Sequence, residues 1–172
     1  MLKNSVAAAA VLAFAITAPL AARAGDAELF AVYDQVNGFD IETATLGAVN
    51  GSTKEVRALA AMVLRDHSAV RQMTRDLASR LDVKYEVDEK SAGAADHKKA
   101  IEMLSAKSGA EFDKAYLEHE IGFHRSAIDA VRNSLLPAIK NGEFKGLVEA
   151  VLPGFEHHLA ETLRVAGKSD AH

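Results

Sequence analysis

The sequence predicts an all-α protein: a four-helix bundle with a short extra helix in the connection between its second and third long helices. Three observations predict it. Apolar residues recur at helical spacing along three long lines. One runs Val56, Ala60, Val63, His67, Val70, Thr74, Leu77, Leu81; the next Leu117, Ile121, His124, Ile128, Val131, Leu135; the third Phe144, Val148, Val151, Phe155, His158. Two Asn-Gly pairs, Asn50-Gly51 and Asn141-Gly142, mark tight turns between such segments. The composition is rich in Ala, Leu, Glu and Lys and poor in aromatics, which favours helix throughout.

Each element follows in order. Residues 1–24 carry Lys3, an apolar run over residues 6–18 and Ala22-Arg23-Ala24, the pattern of a cleavable secretory signal peptide. The run is short for a membrane span and no second apolar stretch follows, so the mature chain is expected to lack a transmembrane segment. Residues 25–172 are expected to form one helical-bundle domain, since roughly 150 residues suffice for a core. With no cysteine anywhere, that core must hold without disulfides. The first helix is expected over residues 27–49. Ser52 or Thr53 caps the second, which runs to about residue 81. Residues 82–93 read as a connection; Val83, Tyr85 and Val87 alternate as in a strand, yet no partner strand exists. A short helix over residues 94–106 ends before Ser108-Gly109. The third long helix spans residues 110–140, with Pro137 set to kink or stop it. The fourth spans residues 143–166, with Pro153 as an expected kink. The tail after Gly167 is polar. The connection is either a simple return or a longer crossover.

The three apolar lines are each interrupted by one histidine. A buried imidazole must satisfy its nitrogens or bind something. His67 lies about 16 residues from the first Asn-Gly turn, and His124 and His158 about 17 from the second, roughly 25 Å in each case. That is near mid-height, and the levels agree within a turn or two whether the turns share one end or lie at opposite ends. Three histidines converging at one level make a metal site inside a bundle, with His67, His124 and His158 as ligands. Glu120, one turn before His124, is the candidate fourth ligand or orienting residue. Asp66, Asp113 and Tyr116 are candidate supporting residues. On the first helix Glu42 is a candidate and Asn37, nearer the histidine level, its rival. His119 and His157 are read as exposed neighbours, His97 and His172 as solvated, and Arg71, Arg75 and Arg80 as ordinary solvent surface.

Ile41-Glu42 with Leu46-Gly47, Met62-Val63-Leu64-Arg65-Asp66-His67, Phe112-Asp113-Lys114-Ala115-Tyr116-Leu117 with His124, and Leu152-Pro153 with His158-Leu159 together resemble a bacterial exported family, domain of unknown function 4142. The resemblance covers nearly all of the mature chain. It implies a ferritin-like bundle and export, singles out His158 rather than His157, and implies no activity. A di-iron carboxylate centre of the ferritin-like enzymes needs Glu-x-x-His on two helices, and none occurs here. A histidine-rich site suits zinc, copper or nickel better.

Function classes narrow accordingly. The formal charge of −4 includes Lys3 and Arg23, so losing the leader makes it −6, which argues against nucleic acid as a partner. Without a cysteine, a Gly-x-Ser-x-Gly elbow or a Gly-rich phosphate loop, nucleophilic and phosphoryl chemistry find no support. Two readings stand: a periplasmic metal-binding bundle serving storage, sensing or envelope stress, and a non-catalytic envelope structural or interaction protein with a buried histidine and acid network. An enzyme ranks below both, for want of an open coordination position. Nothing in the sequence sets the oligomeric state.

Overall fold

The computed structural model describes residues 25–167; the expected leader, and the tail with His172, lie outside the described residues. Five α-helices appear: α1 (Asp26–Asn50), α2 (Lys54–Arg80), α3 (Ala92–Ser105), α4 (Gly109–Ala130) and α5 (Gly142–Val165). No strand occurs among the described residues. Three of the five starts are capped by a side chain. Thr53 Oγ1 accepts the Val56 N–H, Ser91 Oγ accepts that of Ala94, and Asn141 Oδ1 accepts those of Glu143 and Phe144. Past α4 the turn widens to a π-turn at Val131–Leu135, followed by Leu136–Ala138. The widening falls just before Pro137, whose ring would otherwise meet the Asn133 carbonyl one turn back. Pro153 neither stops nor interrupts α5.

Contacts at the helix ends fix the directions. Asp113, in the second turn of α4, accepts hydrogen bonds from Ser52 N–H (2.7 Å), Ser52 Oγ (2.6 Å) and Thr53 N–H (3.1 Å), so α2 and α4 start at the same end. Asp26, at the start of α1, accepts from the backbone of Lys140 and Asn141 at the far end of α4. Arg80 closes α2 against Glu143 of α5 at 2.6 Å. The two Asn-Gly turns therefore lie at opposite ends. The connection between α2 and α4 runs the length of the bundle as a long crossover, α3 included, which is the ferritin-like arrangement. Its alternating stretch lays Val83 and Tyr85 on the core while Lys84 and Glu86 face solvent, and Tyr85 stacks on Phe30 at 6.0 Å.

α1 and α5 each pack on α2 and α4. The core between them is two apolar clusters rather than one. The first, from Leu29 and Phe30 to Val148 and Phe155, fills the end where α1 begins. The second, including Val56, Val63, Leu104, Phe112 and Tyr116, fills the other. Gly47 lets the Tyr116 ring lie against α1; a Cβ there would meet the ring at 2.5 Å. Between the clusters lies a buried polar layer: Asn37, Asp40, His67, Glu120, His124 and His158.

Candidate metal centre

The three core lines bring their histidines together as expected. His67 on α2, His124 on α4 and His158 on α5 are at most 2% exposed. Their ring centres are 5.2–5.6 Å apart, and one nitrogen of each lies within 4.8 Å of the others. α1 adds the centre's acid, Asp40, fully buried, with Oδ2 at 2.8 Å from His67 Nε2 and 3.4 Å from His124 Nε2.

The outward hydrogen bonds fix which nitrogen is free. The Asn37 amide gives its Nδ2 to the Tyr33 carbonyl at 2.7 Å, so its oxygen faces His67 Nδ1 at 2.9 Å and must accept a hydrogen from it. His124 Nδ1 donates to the Glu120 carbonyl at 3.1 Å. His158 Nε2 donates to Asp66 Oδ2 at 3.1 Å. In the neutral form, with one N–H each, these rings present His67 Nε2, His124 Nε2 and His158 Nδ1 as lone pairs. All three are buried, and Asp40 Oδ2 with them: it lies 2.8 Å from His67 Nε2 and 3.4 Å from His124 Nε2. Lone pairs from three imidazoles and a carboxylate thus crowd into one dry volume. That arrangement is costly when unshared and resembles a ligand set whose outer nitrogens are held by protein acceptors.

Electrostatics follow the same layout. Burial opposes the charge of Asp40, but the positive charge that His67 and then His124 carry when protonated, the hydrogen bond with His67 and then the charge of His158 hold its carboxyl below the usual carboxylate range. Burial pushes His124 down to about 4, and burial likewise lowers His158 against the hydrogen bond it donates to Asp66. Burial, then the charge of Asp40, pushes Glu120 well above the carboxylate range, so Glu120 is a neutral acid beside an anionic Asp40.

The supporting residues divide. Asp66, a candidate supporting residue, accepts the His158 hydrogen bond, and Arg65 holds Asp66 at 2.8 Å. Glu120 orients His124 through its carbonyl, while its carboxyl oxygens are buried and unpartnered, Oε2 lying 3.7 Å from His124 Nδ1. Asp40, Glu120 and His124 form a second cluster with ligand atoms within 4.8 Å of one another. Tyr116 packs beside the layer with its hydroxyl buried and unpartnered. Asp113 lies away from the centre, capping the start of α2 rather than steadying its own helix. Glu42 is corrected outright: its side chain is 65% exposed and bonds His97, because residue 42 falls outside the line Tyr33, Asn37, Asp40, Ala44, Gly47 that faces the core. Asn37, its rival, takes the place on α1. His97 is buried rather than solvated and His119 half-buried rather than exposed, since α3 covers this side. His157 is exposed as expected.

Residues 10–165 match the family described as Domain of unknown function (DUF4142). The chain belongs to that family. Neither a curated protein nor a solved structure matches it. In this DUF4142 chain the matched stretch contains every residue of the centre. Asp40 is not among the sequence candidates although the sequence signals it: the spacing from Tyr33 through Gly47 is the same heptad-like line that marks the other helices' histidines.

Proposed function

We propose that this DUF4142 chain is an exported metal-binding bundle that holds one transition-metal ion through His67 Nε2, His124 Nε2, His158 Nδ1 and Asp40 Oδ2. The observation that carries the reading is three buried imidazoles with nitrogens within 4.8 Å of one another, each ring tied to a protein acceptor through one nitrogen and unpartnered at the other. The spacing suits it. A metal 2.0–2.1 Å from each nitrogen sits about 3.2 Å from each ring centre, and tetrahedral angles then place ring centres about 5.2 Å apart, against 5.2–5.6 Å here.

Three nitrogens and one oxygen favour zinc, copper or nickel over a di-iron pair. Asp40 takes the ligand position first assigned to Glu120, because its carboxylate is the charged one. Asn37, Asp66 and the Glu120 carbonyl orient the rings. The closed burial of the set favours storage, buffering or sensing over catalysis, which would need an open position. The leader-like first residues support export to the periplasm as a cleaved chain of one domain; no helix of the described residues is long and apolar enough to cross a membrane.

Elemental analysis of untagged protein from its native envelope tests the reading. About one metal per chain, lost in a folded His124→Asn variant, is the expected result. No metal, and no thermal shift with zinc, copper, nickel or iron salts, would overturn it and leave the layer as a network that specifies the bundle.

A further inference from the structure

The buried polar layer holds a second set of ligand atoms beside the three imidazoles. Asp40 on α1, with Glu120 and His124 on α4, each place one donor atom within 4.8 Å of the other two. Asp40 Oδ2 lies 3.4 Å from His124 Nε2, and Glu120 Oε2 lies 3.7 Å from His124 Nδ1. Glu120 is fully buried, and neither of its carboxyl oxygens has a hydrogen-bond partner. Buried polar atoms of a native fold are almost always paired. The histidine site gives this carboxyl no part, because Glu120 serves there only through its backbone carbonyl.

The two sets differ in chemistry and in place. The first offers three imidazoles and one carboxylate, drawn from all four long helices. The second offers one imidazole and two carboxyl groups, drawn from α1 and α4 alone. Nitrogen-rich sets suit zinc, copper and nickel. Carboxylate-rich sets suit harder ions, of which manganese(II) also accepts an imidazole. An octahedral ion with ligands at about 2.1 Å holds opposite donors about 4.2 Å apart, close to the spread of the second set. Asp40 and His124 belong to both sets. His124 keeps one nitrogen on the Glu120 carbonyl, so it has one to give. We propose that the centre has two overlapping positions: a borderline ion takes the three histidines with Asp40, a manganese(II)-class ion takes Asp40, Glu120 and His124, and either excludes the other. The inference rests on the metal-binding reading above. The harder ion displaces the proton that Glu120 carries, which leaves to solvent, and no electron is transferred. A borderline ion ties all four long helices together and a harder one ties only α1 to α4, so the bundle responds differently to the two.

A purely structural pairing of the two acids would involve the same residues but would not tell one ion from another. Titration of the apo full chain with manganese(II) chloride, followed by the paramagnetic resonance of the free ion, separates the two. The wild type should bind one manganese per chain, and one equivalent of zinc chloride should expel it. Glu120→Gln keeps the shape of the neutral acid but supplies no carboxylate. It should weaken manganese binding by about tenfold or more and leave zinc binding unchanged. His158→Asn, outside the second set, should do the reverse. Manganese and zinc held together by one chain would overturn the shared site. Manganese binding that survives Glu120→Gln, or that is lost in His158→Asn, would place that ion among the histidines and overturn the second position. Equal weakening of both ions by Glu120→Gln would overturn it too. Should His158→Asn fail to fold, Glu120→Gln decides alone. Zinc binding without manganese binding overturns this inference and leaves the histidine site standing. A wild-type chain that binds neither ion overturns both.

Discussion

Asp34 and Asp40 lie six residues apart on α1, both buried and both facing α2, and the fold treats them in opposite ways. Asp34 is gripped by two guanidinium forks: Arg71 at 3.1 and 3.3 Å, and Arg75 at 2.8 and 3.1 Å. Gly38 leaves the room for this, since a Cβ there would come within 3.2 Å of Arg71 Cζ. Every oxygen of Asp34 has a donor, and the arginines remain partly in water. Asp40 instead meets only imidazole nitrogens at Oδ2, 2.8 Å from His67 and 3.4 Å from His124, with no guanidinium or ammonium near it among the described residues. A buried acid kept for structure is satisfied. One left facing bare lone pairs is arranged for something that brings positive charge.

The largest effect expected from this contrast is on metal binding. An ion that binds only the folded chain stabilises it by about 2.7 kcal/mol at a hundredfold excess over Kd. For a chain of this size that raises Tm by several degrees, at about 2–4 °C per kcal/mol. Calorimetry should show the rise in the wild type and in Asp34→Asn, and about half of it or less in Asp40→Asn. Next in size is Asp34→Asn itself, which loses charge-assisted bonds to both arginines. Because Arg71 and Arg75 are partly exposed, the cost is expected near 2 kcal/mol, roughly half that of breaking a wholly buried pair, measured by urea unfolding. A change below about 0.5 kcal/mol would make Asp34 a surface pair in effect.

The pH response should also divide the two. His124 stays neutral in the fold to about pH 4, whereas the unfolded chain takes up that proton near the ordinary imidazole value of about 6.5. Its contribution is therefore complete above pH 6.5 and is lost as pH falls from there towards 4. The slope is up to about 1.4 kcal/mol per pH unit for one proton. Unfolding of the apo chain at pH 7, 6 and 5 checks this; a flat profile over that range would contradict a neutral buried His124. The smallest effect is expected for Asp40→Asn without metal. The amide would supply the hydrogen that His67 Nε2 lacks, so apo stability should hold or rise by up to about 1 kcal/mol. A loss above 2 kcal/mol would mean that Asp40 serves the fold as Asp34 does.

Much of this was legible in the sequence for a simple reason: α2, α4 and α5 each bury one face. A single apolar line then marks the core, and a histidine on it stands out. α1 is different. It is covered by α2, α4 and α3, and its buried residues lie on nearly every side. A stripe through Phe39 and Leu46 is therefore as apolar as the true one, and it carries Glu42 in place of Asp40. The same crowding hid Arg71 and Arg75, which look like solvent surface until the buried Asp34 opposite is known. His97 was read as solvated because a short helix in a crossover gives no sign of which face it lays down. The direction of that crossover was open until Asp113 was seen to reach Ser52 and Thr53, a long-range bond that no local pattern encodes.

The most direct measurement is zinc titration of apoprotein by calorimetry, comparing wild type with Asp40→Asn and Asp34→Asn. The account predicts one site per chain in the wild type and in Asp34→Asn, with affinity in Asp40→Asn weakened by tenfold or more. Equal binding by all three, or binding by none, would contradict it.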